Sequence, residues 1–219
     1  MLRAHGISDK GVIRPTNEDY FIVDEARQFC VLADGMGGHR AGEVAARTAV
    51  EAVAECLAGA TAEGADSPPF HPFGVDAGLS EAGNRLRTSI LLANLRVLET
   101  AMTSHEFLGM GTTIVAALVS GRRLAVGHVG DSRLYLLKGG QLRRVTDDDS
   151  WVATVLAGNP DADPFVLQHH PMRNVLTNVV GAGAQTDVHV AEVDLAGGEV
   201  MLLTTDGVHG SVSDWHLGQ

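Results

Sequence analysis

The spacing of apolar residues predicts two long helices in the first half of the chain. From Gly42 to Ala58, apolar residues recur every three or four positions with charged residues between them, as in an amphipathic helix. A second such pattern begins after Ser80, a suitable helix N-cap, and ends near Thr103. The predicted buried stripes are Ala46, Ala49, Val50, Val53 and Leu57 in the first helix, and Leu86, Ile90, Leu91, Leu95, Leu98 and Met102 in the second. Residues 59–78 contain glycine and proline without apolar periodicity and are predicted to form a loop.

Short β-rich runs dominate the rest of the chain. The predicted strands are 20–24, 29–33, 112–119, 123–129, 133–137, 141–145, 188–193 and 200–205. The connections among the four middle runs are short and rich in glycine, which favours an antiparallel meander. A short helix is predicted over 151–157, and 158–173 is predicted to be irregular. Because helices and strands come in blocks, we expect an antiparallel α+β fold in a single domain, residues 1–219.

Composition and charge narrow the class of protein. Hydrophobic residues make up 45% and charged residues 20% of the 219 residues, which is typical of a soluble globular protein. The formal net charge of −11 argues against a nucleic-acid partner. The sequence contains no apolar run near the roughly 20 residues that a membrane span requires and no signal-peptide core. We therefore expect a cytoplasmic monomer without a membrane partner, in which Cys30 and Cys56 are reduced core thiols.

The first stretch with candidate chemistry is 31–43, where an apolar run breaks at Asp34-Gly35 into a glycine-rich turn. A carboxylate at the end of a buried strand, beside glycines that expose the backbone, suits a hard metal ion. The alternative is a tight strand-to-helix turn in which Asp34 is a capping residue. This stretch alone does not distinguish between the two.

The pattern of a strand followed by an acid recurs at Asp131 and at Asp206. Together with Glu18 and Asp19 beside the first hairpin, it predicts carboxylates that converge on one end of a sheet. Like charges so close raise one another's pKa unless cations lie between them. An all-oxygen ligand set favours Mg²⁺ or Mn²⁺ over structural zinc, and two such ions about 4 Å apart can activate a bridging water for displacement at phosphorus. Arg14 is a candidate ligand for phosphate oxygens.

At this point the chain resembles the metal-dependent protein phosphatases of the PPM family, protein phosphatase 2C type. The matching motifs, in the family's order, are 8–19, 31–43, 109–113, 127–133 and 205–207, with a weaker match at 174–177. The resemblance implies an αββα four-layer sandwich, with two antiparallel sheets between helix layers. It also implies hydrolysis of phosphoserine and phosphothreonine in proteins by direct attack of a metal-bound water or hydroxide on phosphorus. The partners would be phosphorylated substrates of a serine/threonine kinase.

The resemblance also implies a metal site. Asp34 would bridge two Mn²⁺ or Mg²⁺ ions, and the carbonyl of Gly35 would bind one of them. Glu18 and Asp206 would each bind one ion, Glu18 directly or through water. Asp131 would help to hold a third, looser ion together with Asp206.

Two further residues would act on substrate and water. Asp19 would orient metal-bound water, and Arg14 would bind the phosphate. Met36 stands where some eukaryotic members have a histidine proposed as general acid, so the leaving oxygen would be protonated by water or another group. Residues 147–173 correspond to the family's flap, which borders the site and influences substrate choice.

The last residues depart from the family pattern. Ser213-Asp214 has the sequence of a helix N-cap, whereas family members continue with a helix and a strand that carries a further metal-ligand Asp. We therefore expect a C-terminally incomplete domain with one weakened metal site. This motivates a second hypothesis, a phosphoprotein-binding regulatory domain with little turnover. A third, a nucleotide cradle at 35–38, lacks the Lys-Ser/Thr of a P-loop and the spacing of a dinucleotide fingerprint.

Four histidines have more ordinary interpretations than catalysis. We expect His39 to be exposed in a glycine-rich turn, His209 to be structural, and His169 and His170 to be solvated flap residues. A zinc site at the last two would need more ligands than the neighbouring sequence offers.

Overall fold

Two antiparallel sheets form the centre of this protein, described here from a computed structural model of residues 1–38, 40–62 and 71–219. The strands are β1 (Asp19–Asp24), β2 (Phe29–Met36), β3 (Gly111–Thr112), β4 (Ile114–Ser120), β5 (Arg123–Val129), β6 (Arg133–Lys138), β7 (Gln141–Arg144), β8 (His189–Asp194) and β9 (Val200–Thr204). The helices are α1 (Ala41–Ala62), α2 (Glu81–Ala101), α3 (Trp151–Gly158), α4 (Pro164–His169), α5 (Asp206–His209) and α6 (Asp214–Leu217), and a 3₁₀ turn spans His105–Phe107.

The larger sheet has the strand order β1-β2-β4-β5-β8, and β3 pairs with the end of β2. The smaller sheet has the order β7-β6-β9. Every pairing is antiparallel. The expected α+β class with two antiparallel sheets is therefore confirmed. The predicted meander is divided, however, because β5 and β6 lie in different sheets and the chain turns between them at Gly130, where φ is 95°.

The two long helices pack on one face of the larger sheet and on each other. All five residues of the predicted α1 stripe are at most 1% exposed, so that prediction is confirmed. In α2, Leu86 and Ile90 are buried as predicted, but Leu95 and Met102 are 38% and 79% exposed. The buried stripe continues instead through Ala93, Val97 and Ala101.

The contact between α2 and the larger sheet is close. A Cβ on Gly127 of β5 would lie 2.8 Å from Cδ1 of Ile90 and 3.1 Å from Cγ of Leu86. The missing side chain of Gly127 therefore makes room for these two residues of α2, and small residues complete the buried face of the helix.

A second apolar cluster fills the space between the sheets. Alternate residues of β4 face opposite ways: Ile114 and Ala116 pack towards the helices, whereas Val115 and Ala117 pack against the smaller sheet. From the smaller sheet, Leu134 and Leu136 join this cluster. Since both faces of the larger sheet are covered, residues 114–119 of β4 and 124–127 of β5 form uninterrupted apolar runs. The smaller sheet is contacted on its outer side by α6, against β7.

Several boundaries differ from the prediction. The predicted loop 59–78 begins too early, because α1 continues to Ala62; 63–70 and His39 lie outside the described residues. The stretch 158–173 is not wholly irregular, because it contains α4. The side chain of Asp163 accepts a hydrogen bond from the backbone N–H of Phe165 at 2.8 Å, and Pro164 occupies the first turn. This Asp-Pro pair is a helix-start signal that the pattern of apolar residues does not show.

Two corrections concern the strands nearest the candidate chemistry. Strand β2 continues to Met36, so Asp34 and Gly35 lie inside it, and α1 begins only at Ala41. Asp34 is thus not the cap of a strand-to-helix turn. The predicted strand 112–119 is interrupted at Thr113, which separates β3 from β4. Residues 175–180 do not form a strand, and their sheet-like pairing consists of isolated bridges such as that of Thr112 with Val180.

Among the described residues, no helix has both the length and the apolar character needed to span a bilayer.

The orientation of α2 on the sheet can be tested by truncating one buried and one exposed apolar residue of this helix. Ile90→Ala should lower the free energy of unfolding by about 2–5 kcal/mol, because it leaves a cavity against the sheet. Leu95→Ala in the same helix should cost clearly less, since Leu95 is 38% exposed. Urea unfolding followed by circular dichroism measures both. Equal losses for the two variants would contradict the observed orientation of α2.

Candidate metal centre

Four acidic residues lie where strands of both sheets end. Asp19 is the first residue of β1 and pairs directly across the sheet with Asp34 of β2. Asp131 lies just beyond the end of β5, and Asp206 follows β9 as the first residue of α5. Since β9 belongs to the smaller sheet, the acids meet only where the two sheets are packed together.

The electrostatics of these residues show that the predicted convergence occurs. Burial, followed by repulsion from Asp19 and Asp206, raises the pKa of Asp34 to about 8. Burial and then repulsion from Asp206 raise the pKa of Asp131 to about 6. Burial also raises the pKa of Asp19, although a hydrogen bond from Thr205 opposes the shift. These carboxylates crowd one another with too little positive charge to compensate.

The carboxyl group of Asp34 is at the centre of this cluster. The negative charges of Asp19 and Asp206 add to its burial in raising its pKa. A divalent cation would neutralise these charges.

Glu18 and Gly35 form a second part of the site. The backbone N–H of Gly35 donates to the carbonyl oxygen of Glu18 at 3.1 Å. A Cβ on Gly35 would lie 1.9 Å from the carbonyl oxygen of Gly42, and one on Gly42 would lie 2.5 Å from Oε1 of Glu18. Glycine is therefore required at 35 and 42, and α1 packs directly against the backbone beside Asp34. Because the N–H of Gly35 is already bonded, it is not available to the nucleotide cradle considered above.

Arg14 lies at the edge of the site. Its Nη1 is 3.7 Å from Oε2 of Glu18, and its side chain is 61% exposed. This is a loose ion pair, and most of the guanidinium donors remain available for an incoming anion.

The donor set fits hard divalent cations. Carboxylate oxygens from Glu18, Asp34, Asp131 and Asp206 and the carbonyl of Gly35 are the oxygen ligands that Mg²⁺ and Mn²⁺ prefer. Among the residues that the structure describes, no three His, Cys, Asp or Glu side chains already surround one point as metal ligands. Cation binding therefore requires side chains of this cluster to rotate. The raised pKa values of Asp34 and Asp131 show that the cluster lacks the positive charge that cations would bring.

The histidines contact other parts of the molecule. Nδ1 of His209 lies 2.9 Å from Oγ1 of Thr204, and burial lowers the pKa of His209 to about 4, so its ring is neutral at pH 7. The ring of His170 stacks on Trp151 with centroids 4.1 Å apart, and Nδ1 of His169 lies 2.8 Å from the carbonyl oxygen of Phe165. The interpretation of these residues as structural or flap residues therefore has support from their contacts.

Sequence reasoning missed the hydroxyl groups that hold these acids. Oγ1 of Thr205 donates to Oδ2 of Asp19 at 3.1 Å, and Oγ1 of Thr112 donates to the carbonyl oxygen of Asp34 at 2.8 Å. Thr113 and Ser132 also lie beside this cluster. Each of these residues is next to an acid or within a motif, but a threonine in a β-rich run is an ordinary strand residue. No signal in one sequence marks them.

Comparison with known proteins agrees with this geometry. The family model described as Protein phosphatase 2C matches residues 15–217. The chain is 33% identical over 214 residues to the serine/threonine protein phosphatase PstP of Mycobacterium tuberculosis, covering 98% of this chain and 38% of that relative. It is 32% identical over 217 residues to the serine/threonine phosphatase Stp of Listeria welshimeri, covering 96% of this chain and 79% of that relative. The chain thus spans less than half the length of the mycobacterial relative.

A solved structure resembles this one at 30% identity with a TM-score of 0.73, covering 95% of this chain and 79% of the other. It is the catalytic domain of the serine/threonine protein phosphatase PstP in complex with 2 manganese ions.

The raised pKa of Asp34 predicts a pH-dependent stability of the metal-free protein. Because the pKa is raised on folding, the folded chain binds a proton at Asp34 more tightly than the unfolded chain does. The free energy of unfolding should therefore fall as the pH rises from about 4 to about 8. Asp34→Asn should remove a large part of this fall, on the order of a few kcal/mol.

Urea unfolding in the presence of a chelator, repeated across this pH range, measures the effect. The control is Asp161→Asn at an exposed position, which should keep the pH dependence of the parent chain. An Asp34→Asn variant with the same pH dependence as the parent would show that the carboxyl group does not titrate as its surroundings require.

Proposed function

The chain belongs to the protein phosphatase 2C family, and on that premise we propose that it is a metal-dependent phosphatase of phosphoserine and phosphothreonine in proteins. The observation that carries this proposal is the group of mutually repelling carboxylates of Asp19, Asp34, Asp131 and Asp206 at the edge shared by the two sheets. Such a group fits cations, and an acidic protein needs cations to receive an anionic phosphate.

The residues divide into ligands and groups that act on substrate. Glu18, Asp34, Asp206 and the carbonyl of Gly35 would hold two Mn²⁺ or Mg²⁺ ions, and Asp131 with Asp206 would hold a looser third. When bound, these cations supply a Lewis acid that activates water for attack on phosphorus and neutralises the charge that develops on the phosphoryl oxygens. The relative with two bound manganese ions supports the pair, and the choice of metal and the third ion are part of the proposal.

Asp19 is suited to orient the attacking water and to accept its proton. Its Oδ2 accepts the hydroxyl of Thr205, which fixes the carboxylate plane. Burial raises its pKa, which makes the carboxylate a better proton acceptor than an exposed Asp would be. Both effects come from residues that surround Asp19 in the folded chain.

Arg14 would bind the phosphoryl group of the substrate. Its exposed guanidinium makes only the 3.7 Å contact with Glu18, so it can turn towards a phosphate without breaking a tight ion pair. The positive charge of Arg14 opposes the rise in the pKa of Asp19, and it would also offset part of the repulsion between the acidic cluster and the substrate.

The flap at 147–173 is tied to the loop that carries Asp131, which supports its proposed role beside the site. Arg133 forms two hydrogen bonds to Asp148, at 2.9 and 2.6 Å. Oδ2 of Asp149 accepts the backbone N–H of Gly130 at 2.9 Å. These hydrogen bonds join the beginning of the flap to the loop after β5, where the flap would influence which substrates reach the cations.

We further propose that the partners are phosphorylated substrates of a serine/threonine kinase, on which the chain acts as a monomer in the cytoplasm. The alternative of a binding domain with little turnover is less well supported, because the relatives described above are named as phosphatases. The two are separated by turnover: a binding domain would retain a phosphopeptide without hydrolysing it.

Hydrolysis of a phosphothreonine peptide with added Mn²⁺ tests the proposed activity. The parent chain should release phosphate, and Asp34→Asn should reduce the rate at least ~100-fold, because even outer residues of metal sites cost 10–100-fold when changed. Asp194→Asn is the control, since this exposed residue pairs with Arg123 at the end of β5 opposite to Asp131 and lies outside the flap. An Asp34→Asn variant that hydrolyses the peptide as fast as the parent would contradict the proposed role of the cluster.

A further inference from the structure

A pair of buried hydroxyl groups lies between the strand ends that carry Asp34 and Asp131. Oγ1 of Thr113 and Oγ of Ser132 are 2.7 Å apart, and the two residues are 2% and 1% exposed. Oγ1 of Thr113 also accepts the backbone N–H of Asp34 at 3.0 Å. Since Ser132 directly follows Asp131, this short chain of hydrogen bonds joins the two acids through neutral groups.

The interruption between β3 and β4 makes this arrangement possible. At Thr113 the chain leaves the regular ladder, and the N–H of Asp34 finds a side-chain acceptor in place of a backbone carbonyl. The carbonyl oxygen of Asp34 accepts the backbone N–H of Thr113 at 2.9 Å and the hydroxyl of Thr112 at 2.8 Å. Both polar groups of the Asp34 main chain are therefore held by one dipeptide.

The methyl group of Thr113 contacts the same loop from another side. Gly130 has φ of 95°, and a Cβ there would lie 2.8 Å from Cγ2 of Thr113. Thr113 thus touches the loop before Asp131 with its methyl group and the residue after Asp131 with its hydroxyl. Few side chains other than threonine provide both contacts at this size.

These contacts oppose the electrostatic repulsion between the two acids. The carboxylates of Asp34 and Asp131 repel each other, which is one cause of the raised pKa of Asp34. The hydroxyl pair holds the main chains of both residues together without using either carboxylate. The carboxylates take no part in these hydrogen bonds, so their side chains can still rotate towards a cation while the main chain at Asp34 is held in place.

We propose that Thr113 and Ser132 are positioning residues that fix Asp34 relative to Asp131, so that both serve one metal centre. The inference rests on the proposed function, because it takes these acids as ligands of the same centre. It assigns no contact with substrate to either hydroxyl group.

A matched pair of substitutions at Thr113 separates its two contacts. Thr113→Val keeps the shape and the methyl contact with Gly130 but removes the hydroxyl, whereas Thr113→Ser keeps the hydroxyl and removes the methyl. The control is Thr146→Val: Thr146 is also 2% exposed, and its Oγ1 accepts the backbone N–H of Leu134 at 3.1 Å. This control loses the same kind of buried acceptor without contacting Asp34 in the described structure.

Two measurements on the full chain are informative. Calorimetry with Mn²⁺ alone should show binding about 10–100-fold weaker in Thr113→Val, with Thr113→Ser and Thr146→Val close to the parent chain. Amide hydrogen exchange of the metal-free protein should show faster exchange at Asp34 in Thr113→Val only, because that N–H has lost its acceptor. If Thr113→Val fails to fold, Ser132→Ala removes the other hydroxyl and should also weaken Mn²⁺ binding.

The outcomes distinguish this inference from the proposed activity. Mn²⁺ binding in Thr113→Val or in Ser132→Ala as tight as in the parent would overturn the positioning role, even if the parent hydrolyses phosphopeptides. Weakening of the same size in Thr146→Val would overturn it as well. A parent chain that binds Mn²⁺ but hydrolyses nothing, with weaker binding in Thr113→Val, would retain the positioning role and remove the proposed activity.

Discussion

Repulsion among crowded carboxylates is the constraint on which the site depends. Asp34 lies among Asp19, Asp131 and Asp206, and burial weakens the screening by water that would otherwise make such a group tolerable. An isolated segment of chain could not hold these charges together. They are held by backbone pairing in two sheets and by the apolar clusters on both faces of the larger sheet. The fold thus keeps negative charges close together, and cations or protons must neutralise them.

Steric contact defines the other half of the site. The backbone of Gly35 touches that of Gly42 at the start of α1, and Gly42 in turn lies against the carboxylate of Glu18. Helix α1 is packed on the larger sheet by alanines and valines that are essentially fully buried. Both features therefore have the same effect. The small side chains of α1 and the glycines at 35 and 42 allow α1, β2 and Glu18 to approach one another closely.

The sequence predicts the parts of this arrangement that depend on local pattern. A strand that ends in an acid is visible at Asp34, Asp131 and Asp206, and the regular spacing in α1 correctly predicts its buried face. Local sequence pattern is insufficient where a contact between residues far apart in the sequence determines the structure. Leu86 and Ile90 of α2 pack against Gly127, far along the chain. At Thr113, where the strand is interrupted, the hydroxyl accepts the N–H of Asp34, 79 residues away in the sequence. Helix α4 is a different case. The sequence contains its start signal, Asp163-Pro164, but the irregular composition of the surrounding residues hides that signal.

The division of the proposed ligands between the sheets would have a thermodynamic consequence. Asp34 belongs to the larger sheet, whereas Asp206 follows a strand of the smaller sheet, and the two sheets are joined by the apolar cluster that includes Val115, Leu134 and Leu136. A cation bound by acids from both sheets would bind only the packed arrangement, so its binding free energy would add to the stability of that packing. Conversely, a change in the intersheet core that shifts Asp206 relative to Asp34 would weaken cation binding without touching a ligand. On the proposed function, the core and the metal centre would then form a single cooperative unit.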